Sequence, residues 1–573
     1  MKLIVTGRSF SGPQLWVSQS PKRLIYRKVH EIVMSKKKKN HNFLIQGSIL
    51  AIASMVSRVI GIIYRVPLNH IIGDSGMGYY QFAFEMYSIL LIISSYSLPL
   101  AVSKLVSARV ANGEYKNALY IFKHALQFAA VVGLLAAIID FAGAELFAKV
   151  SKYSESVIAI RTLAPTLLIL AILGVFRGYF QGLGTMMPTA ASNIIEQIVN
   201  AIVSVGAAWI LFDIGLESGR ELAFGAAGGT IGTGAGALAA LIFTIFIYLM
   251  YRRIMKKKIR RDTVSSLQPV RNIYKMLLIT ILPVIFSTAV YNISGLLDGQ
   301  IFSNVEFYKG VEESVYSGLY GIYSSKYRVL MNVPIAIASA LAASIIPTLV
   351  ASMTMKEYKS VKHKIDYSIR FSMIIAIPCA VGLAVLSGPI ISLIWGPDPM
   401  AAEMMQIGAV SVVFYSLSTI TNAVLQGIDK MRIPVIHAGI SVVTHIIILI
   451  VMLWVFDMSI QAVVVADALF ALLICVLNGL ALKKYIRYKQ EYIKTFLLPG
   501  IAAAVMGAVA YYSYTGLYKI TGSNVTGIGI AVLFAVLVYG LLLLAFKVVN
   551  EDEIRSMPKG AVLVKTLKKF HML

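Results

Sequence analysis

The chain has 573 residues, of which 58% are hydrophobic and 14% charged, with 52 Lys and Arg against 27 Asp and Glu for a formal net charge of +25. Soluble domains carry about 25% charged residues, so this composition, with a mean hydropathy of +0.77, excludes a soluble protein and predicts an integral membrane one. The two cysteines, Cys379 and Cys475, lie inside apolar runs, which excludes a disulfide framework or a Cys/His metal cluster, and no polar basic domain exists to bind nucleic acid.

Residues 1–33 are mixed and basic, without the apolar core and cleavage site of a signal peptide, and Met34 stands before the run Lys36 to Lys39 like a natural start. Residues 1–41 are expected to be a cytoplasmic tail, its first 33 residues an upstream mis-start or a disordered extension. From Phe43 on, apolar runs of about 20 residues, long enough to cross the hydrocarbon core, recur fourteen times: 43–64, 77–97, 118–142, 157–180, 188–212, 223–250, 275–301, 318–343, 367–393, 404–426, 434–456, 460–482, 495–514 and 526–547. None alternates with period two, so a barrel is excluded.

Basic loops stay on the cytoplasmic side, and the even-numbered connections hold nearly all the Lys and Arg: Arg252 to Asp262, Lys356 to Lys364 and Lys483 to Lys494. The odd-numbered ones are neutral or acidic, as in Asp213 to Glu221, Val305 to Val315 and Gly396 to Glu403. Both termini are thus expected in the cytoplasm, with the basic loops against anionic phospholipids.

The chain repeats once. FQGLGTMMP (Phe180 to Pro188) returns as LQGIDKMRIP (Leu425 to Pro434), and Pro99 and Glu114-Tyr115-Lys116 return as Pro347 and Glu357-Tyr358-Lys359. Six spans separate the copies, so both have one orientation and an axis along the membrane normal relates them. The expected fold is an all-α membrane protein of fourteen helices. Two parallel-repeat six-helix bundles, 42–251 and 275–482, are joined by a basic linker, 252–274; helices 13 and 14 lie in 483–547 and a basic tail in 548–573.

Ionised side chains inside a bilayer line cavities or pair. Arg58 and Arg65 lie seven residues apart on one face of the first span, roughly 10 Å along the axis. Glu85 in the second span and Lys326 and Arg328 in the eighth fall at similar depth under the repeat, which predicts a cationic cleft between the bundles. Competing readings are snorkelling for Arg65 and Arg177, an Arg58–Glu85 ion pair, and interfacial positions for Asp298, Asp140 and Arg161. Glu196 and Asp467 are the deepest unpaired acids and, with Asp298, the candidates for a coupling ion, Na⁺ or H⁺; no other cofactor and no metal are expected. His437 and His445 read as helix-packing donors.

The glycines of AFGAAGGTIGTGAG (Ala223 to Gly236) lack the lysine and the strand of a phosphate loop and predict close helix approach instead. No catalytic carboxylate pair or Ser/His arrangement stands out, so a transporter and not an enzyme is expected.

Taken together, SMVSRVIGIIYRVPLNHIIGDSGMGYYQF (Ser54 to Phe82), SLPLAVSKLVSARVANGEY (Ser97 to Tyr115), FRGYFQGLGTMMP (Phe176 to Pro188), GAAGGTIGTGAGA (Gly225 to Ala237) and KYRVLMNVPIAIASALAASIIPTL (Lys326 to Leu349) resemble the stage V sporulation protein B and MurJ flippases. These belong to the multidrug/oligosaccharidyl-lipid/polysaccharide exporter superfamily, and the likeness runs from about Asn42 to Lys547. It implies flipping of lipid II, an undecaprenyl-pyrophosphate-linked peptidoglycan precursor, by alternating access across the bacterial cytoplasmic membrane. Arg58, Arg65 and Arg328 then take the family's arginine positions. Tyrosines stand near Tyr79 and at Tyr327 where the proteobacterial type has acids, which favours the sporulation branch. Arginine also suits the substrate chemically, because its fork matches a diphosphate with bidentate bonds. Alternatives are another polyprenyl-linked oligosaccharide, for capsule or exopolysaccharide, or a cation-coupled multidrug exporter. Cell-wall synthesis proteins are the expected protein partners of a monomeric chain.

Overall fold

Glycine and proline decide where the apolar runs break into helices in the computed structural model, which describes residues 50, 53–260, 262 and 267–548. The expectations for 1–41, for the start of the first run and for the tail beyond 548 lie outside the described residues. After α1 (Ala53–Ile63), α2 (Arg65–Leu91) is split at Gly73, whose φ of 66° and ψ of −179° no helix holds. Glycine adopts this backbone at little steric cost, so the chain turns back there and a new helix starts at Asp74. A π-helical turn, Ile92–Tyr96, leads into α3 (Leu98–Ala111), with Pro99 in the first turn, where its missing N–H costs nothing.

The first half continues with α4 (Tyr115–Ser151), α5 (Val157–Gly182), α6 (Met187–Leu216) and α7 (Glu221–Arg260). The second half has α8 (Val270–Tyr308), α9 (Glu313–Ile322), a second π turn at Tyr323–Tyr327, α10 (Arg328–Thr354), α11 (Tyr358–Val385), α12 (Ser387–Ile394), α13 (Pro399–Gly408), α14 (Ser411–Gly427), α15 (Arg432–Trp454) and α16 (Ile460–Ile486). α17 (Leu498–Thr521) and α18 (Asn524–Ala545) pack on each other, and α17 on α11. Among the described residues every regular element is helical.

Among the described residues eleven stretches are long and apolar enough to cross a membrane, or twelve if α13 and α14, bent by 46°, count as one. The sequence reading of fourteen differs at its first run, where only the short α1 is described, and at its seventh, the 39-residue α8. The chain is an all-α, multi-pass membrane protein. As the sequence predicts, the glycines of α7 serve packing: a Cβ on Gly232 would sit 2.0 Å from Ser204 Oγ, and one on Gly236 2.4 Å from the Glu196 carbonyl, so α6 and α7 meet backbone to backbone.

α8 serves both halves. Ile273, Leu277 and Ile281 near its start share a core with Leu98, Phe122 and Phe176, whereas its later turns pack on α15. At the end that carries the acidic loops, α2 and α9 form a long interface; α3 and α10, which run on toward the basic loops, form no packed interface. Among the described residues the halves thus meet through α2 and α9 at the acidic-loop end, and at the basic-loop end through the start of α8 but not through α3 and α10.

Candidate functional site: a cleft closed at one end

The closed end is built from residues without side chains to obstruct it. A Cβ on Gly321 would lie 1.8 Å from the Asp74 carbonyl, and one on Gly78 2.1 Å from that of Ser317. Serines bond across the seam: Ser75 Oγ donates to Ser314 O and Ser317 Oγ to Ser75 O, each at 2.8 Å. One turn deeper, Lys326 is buried with its ammonium 2.8 Å from Asp74 of α2 and 2.8 Å from Asp398, which also caps α13 by accepting from Ala401 N. Lys326, expected to face substrate, here has its charge matched by two carboxylates inside the seam.

Beyond the seam, Arg328 opens α10 directly after the π turn. It borders a cavity of about 220 Å³ together with Gly295, Asn332, Tyr415 and Asp467. Its guanidinium lies 5.6 Å from the centre of the Tyr323 ring, within cation–π range, and fits because residue 295 is glycine: a Cβ there would be 3.2 Å from Arg328 Nη1. Glu85 lies close by. Its Oε1 accepts from Tyr320 at 2.7 Å and from Gln81 at 3.0 Å, and the Tyr320 hydroxyl also sits 3.2 Å from Gly295 O. Tyr320 thus ties the acid of α2 to the stretch of α8 that holds the arginine.

Arg58 is exposed on α1 and Arg65 half-buried at the start of α2. Among the described residues no ion pair joins either to Glu85, so the Arg58–Glu85 pair does not form; Glu85 is held by tyrosine and glutamine instead.

The remaining acids depart from the sequence reading in one direction, having more partners, more burial or both than expected. Glu196 is not unpaired: Arg177 Nη2 donates to its Oε2 at 2.7 Å, and Arg177 Nε donates to Ser192 Oγ at 2.9 Å, so the arginine pairs rather than snorkels. α5 and α6 form a hairpin, and this pairing removes an isolated charge from each. Asp298 is 1% exposed and bonded to His445 Nε2, while His445 Nδ1 faces Ala466 O at 3.0 Å. Asp140 is fully buried and has no hydrogen-bond partner among the described residues. Both are buried inside the protein, on helices α8 and α4 that run on to Tyr308 and Ser151, past the ends of their apolar runs. Arg161 is at a surface, paired with Glu145 at 2.7 Å. Asp467 is buried and accepts from the Tyr415 hydroxyl. His437 meets Asn478 at 2.7 Å, as a helix-packing donor or acceptor. Among the described residues no three His, Cys, Asp or Glu converge in a way that could hold a metal ion. Sequence reasoning missed Asp74, Asp398, Tyr320 and Tyr415; the first two stand at helix starts, after the break at Gly73 and at the cap of α13, and the tyrosines look like ordinary aromatic filling.

The polysaccharide biosynthesis protein family model matches residues 44–353, more than half of the chain, and the MatE model matches residues 323–451. The chain belongs to the polysaccharide biosynthesis protein family. It is homologous to the lipid II flippase MurJ of Bacillus subtilis, with 26% identity over 81% of this chain and 87% of that protein. Stage V sporulation protein B of the same organism is 24% identical over 90% of this chain and 98% of its own length. Among solved structures, the inward closed conformation of lipid II flippase MurJ superposes with a TM-score of 0.62 at 16% identity, covering 87% of this chain and 98% of that one. An inward-facing multidrug resistance MATE family transporter gives 0.60 at 16%, covering 76% and 99%. The fold is that of a membrane transporter.

Proposed function

We propose that this protein is a flippase that carries lipid II, an undecaprenyl-pyrophosphate-linked peptidoglycan precursor, from the cytoplasmic to the outer leaflet by alternating access. The observation that carries the reading is Arg328, an arginine kept at a cavity in the membrane interior, beyond a seam that closes the acidic-loop end. A diphosphate enters from the basic-loop end, Arg328 grips it as a bidentate donor, and rocking of the two bundles opens the seam and closes the other end. Arg58 and Arg65 line the first-bundle side, Glu85 and Tyr320 position the α8 backbone beside Arg328, and Lys326 acts as the closure on this path. Homology to MurJ and to stage V sporulation protein B supports the same substrate class.

The proposed topology has fourteen crossings, α1 with the first part of α2 and α8 supplying the two beyond the twelve counted, with both termini in the cytoplasm of a bacterial cell. Bundle limits at 42–251 and 275–482, a monomeric state, anionic lipids at the basic loops and contacts with cell-wall synthesis proteins belong to the same proposal. So does coupling to Na⁺ or H⁺, with Glu196, Asp298 and Asp467 as candidates. A second reading, another polyprenyl-linked glycan, is favoured by the family's description as polysaccharide biosynthesis proteins. Proteoliposomes loaded with fluorescent lipid II, or with the same lipid carrying a different oligosaccharide, separate the two. Protein-dependent flipping of lipid II at least ten-fold above protein-free vesicles is expected; flipping of the other glycan lipid alone would replace lipid II as substrate.

A further inference from the structure

Both ring nitrogens of His445 face acceptors. Nδ1 points at the Ala466 carbonyl, 3.0 Å away, and Nε2 at an Asp298 carboxylate oxygen. A carbonyl only accepts, so Nδ1 carries hydrogen. A neutral ring would then turn the Nε2 lone pair toward a carboxylate lone pair, and the contact requires a second proton between them. The pair is imidazolium with carboxylate, or imidazole with carboxylic acid, and either way it holds one proton beyond a neutral histidine and an ionised aspartate. Both residues are 1% exposed, and Asp298 Oδ2 has no further partner among the described residues.

The surroundings decide what that proton does. On α16, next to Ala466, Asp467 is buried and bonded by Tyr415 of α14. Asp467, Tyr415 and Arg328 of α10 border the same cavity. Tyr320 and Tyr323 of the α9 segment, and Glu85 of α2 bonded to Tyr320, complete the polar groups on this side. The remaining wall around His445 is mostly apolar: Phe470 packs its ring edge-on at 5.7 Å, and Ile448 and Leu473, with the hydroxyl residues Ser441 and Thr444, line a crevice of about 240 Å³ beside it. Counted without Glu85, which adds one negative charge when ionised, Arg328, Asp467, Asp298 and the extra proton sum to zero charge. Without the proton the group is left one charge negative in a medium that disfavours it.

We propose that Asp298 and His445 form a proton-binding site coupled to the diphosphate site at Arg328, so that anion binding and proton binding favour one another. This rests on the reading of Arg328 as the diphosphate receptor. A diphosphate held at Arg328 brings negative charge to the cavity that Asp467 borders, beside the Asp298–His445 pair, and the proton on the pair compensates it. Coupling is reciprocal: removing the proton by raising the pH leaves a net negative group beside the anion and weakens its binding. A single linked proton limits the slope to about ten-fold in affinity per pH unit.

The test measures binding of geranylgeranyl diphosphate to the full chain in lipid nanodiscs between pH 6 and pH 9, in wild type, His445→Gln and Asp298→Asn. Titration of the probe itself is common to all three and cancels in the comparison. Wild type is expected to lose affinity more steeply with pH than either variant, by at least several-fold over the range, and His445→Lys, with its fixed charge, to keep the tighter binding at pH 9. Parallel profiles in wild type and both uncharged variants would overturn the proposal while leaving the diphosphate site standing. If no form binds the probe at any pH, the diphosphate reading fails, and the infrared difference spectrum between pH 6 and pH 9 decides the proton site. A carboxyl or imidazolium band present in wild type and missing from His445→Gln supports it; identical spectra overturn it.

Discussion

Lys326 and Asp74, 252 residues apart in the chain, meet across the seam with Nζ 2.8 Å from Oδ1, and Asp398 holds the same ammonium from the other side. Removing one partner by mutation while the other stays buried costs about 3–5 kcal/mol, so the closed seam depends on this contact being complete, and the contact must break whenever the acidic-loop end opens.

The first prediction follows directly. Lys326→Met leaves Asp74 and Asp398 facing each other, and Asp74→Asn leaves Lys326 one partner. Both are expected to shift the protein toward an open seam, Lys326→Met more. Spin labels at Glu217 and Glu312, both exposed at the acidic-loop end, report it as a longer distance population. Unchanged distances in both variants would mean that the contact does not hold the seam.

Gly321 gives the second prediction. A Cβ there would lie 1.8 Å from Asp74 O, backbone that cannot swing aside. Gly321→Ala is expected to weaken closure by about 1–3 kcal/mol, the usual range for overpacking, and to lengthen the same spin-label distance. Gly439→Ala, where nothing lies within 4 Å of the added carbon, serves as the control and is expected to leave it unchanged.

The third prediction concerns Arg177 and Glu196, bonded at 2.7 Å between α5 and α6. Each single change to alanine leaves an unpaired charge, and the double change removes both. Thermal unfolding in detergent is expected to show each single variant less stable than the double variant. If the double variant loses the sum of the two single losses, the residues do not act as a pair.

How far the sequence carries depends on the kind of contact. Arg328 was legible because an intramembrane arginine is costly enough to mark a site by itself, and the α7 glycines because small residues four apart have one common use. The partners of Lys326 were not legible: Asp74 and Asp398 stand at helix starts 252 and 72 residues away, and no periodicity links them to the eighth run. The burial of Asp298 and Asp140 was hidden for a simpler reason. Hydropathy marks where a run stops being apolar, whereas a helix stops where capping and turn residues end it. α8 and α4 continue for seven and nine residues beyond the ends, 301 and 142, of their apolar runs, so acids near those ends lie inside the protein. The Arg177–Glu196 pair was within reach, since the two flank one hairpin turn at comparable distances, but reading each residue on its own span hid it.

Rescue of a bacterium depleted of its own lipid II flippase, with Arg328 varied and membrane levels of the protein measured alongside, tests the central claim most directly. Wild type is expected to restore growth, Arg328→Ala to abolish it while the protein still accumulates, and Arg328→Lys to restore it poorly, because a lysine keeps the charge and loses the bidentate fork. Growth restored by Arg328→Ala to the wild-type level would contradict the assignment of this arginine as the diphosphate receptor.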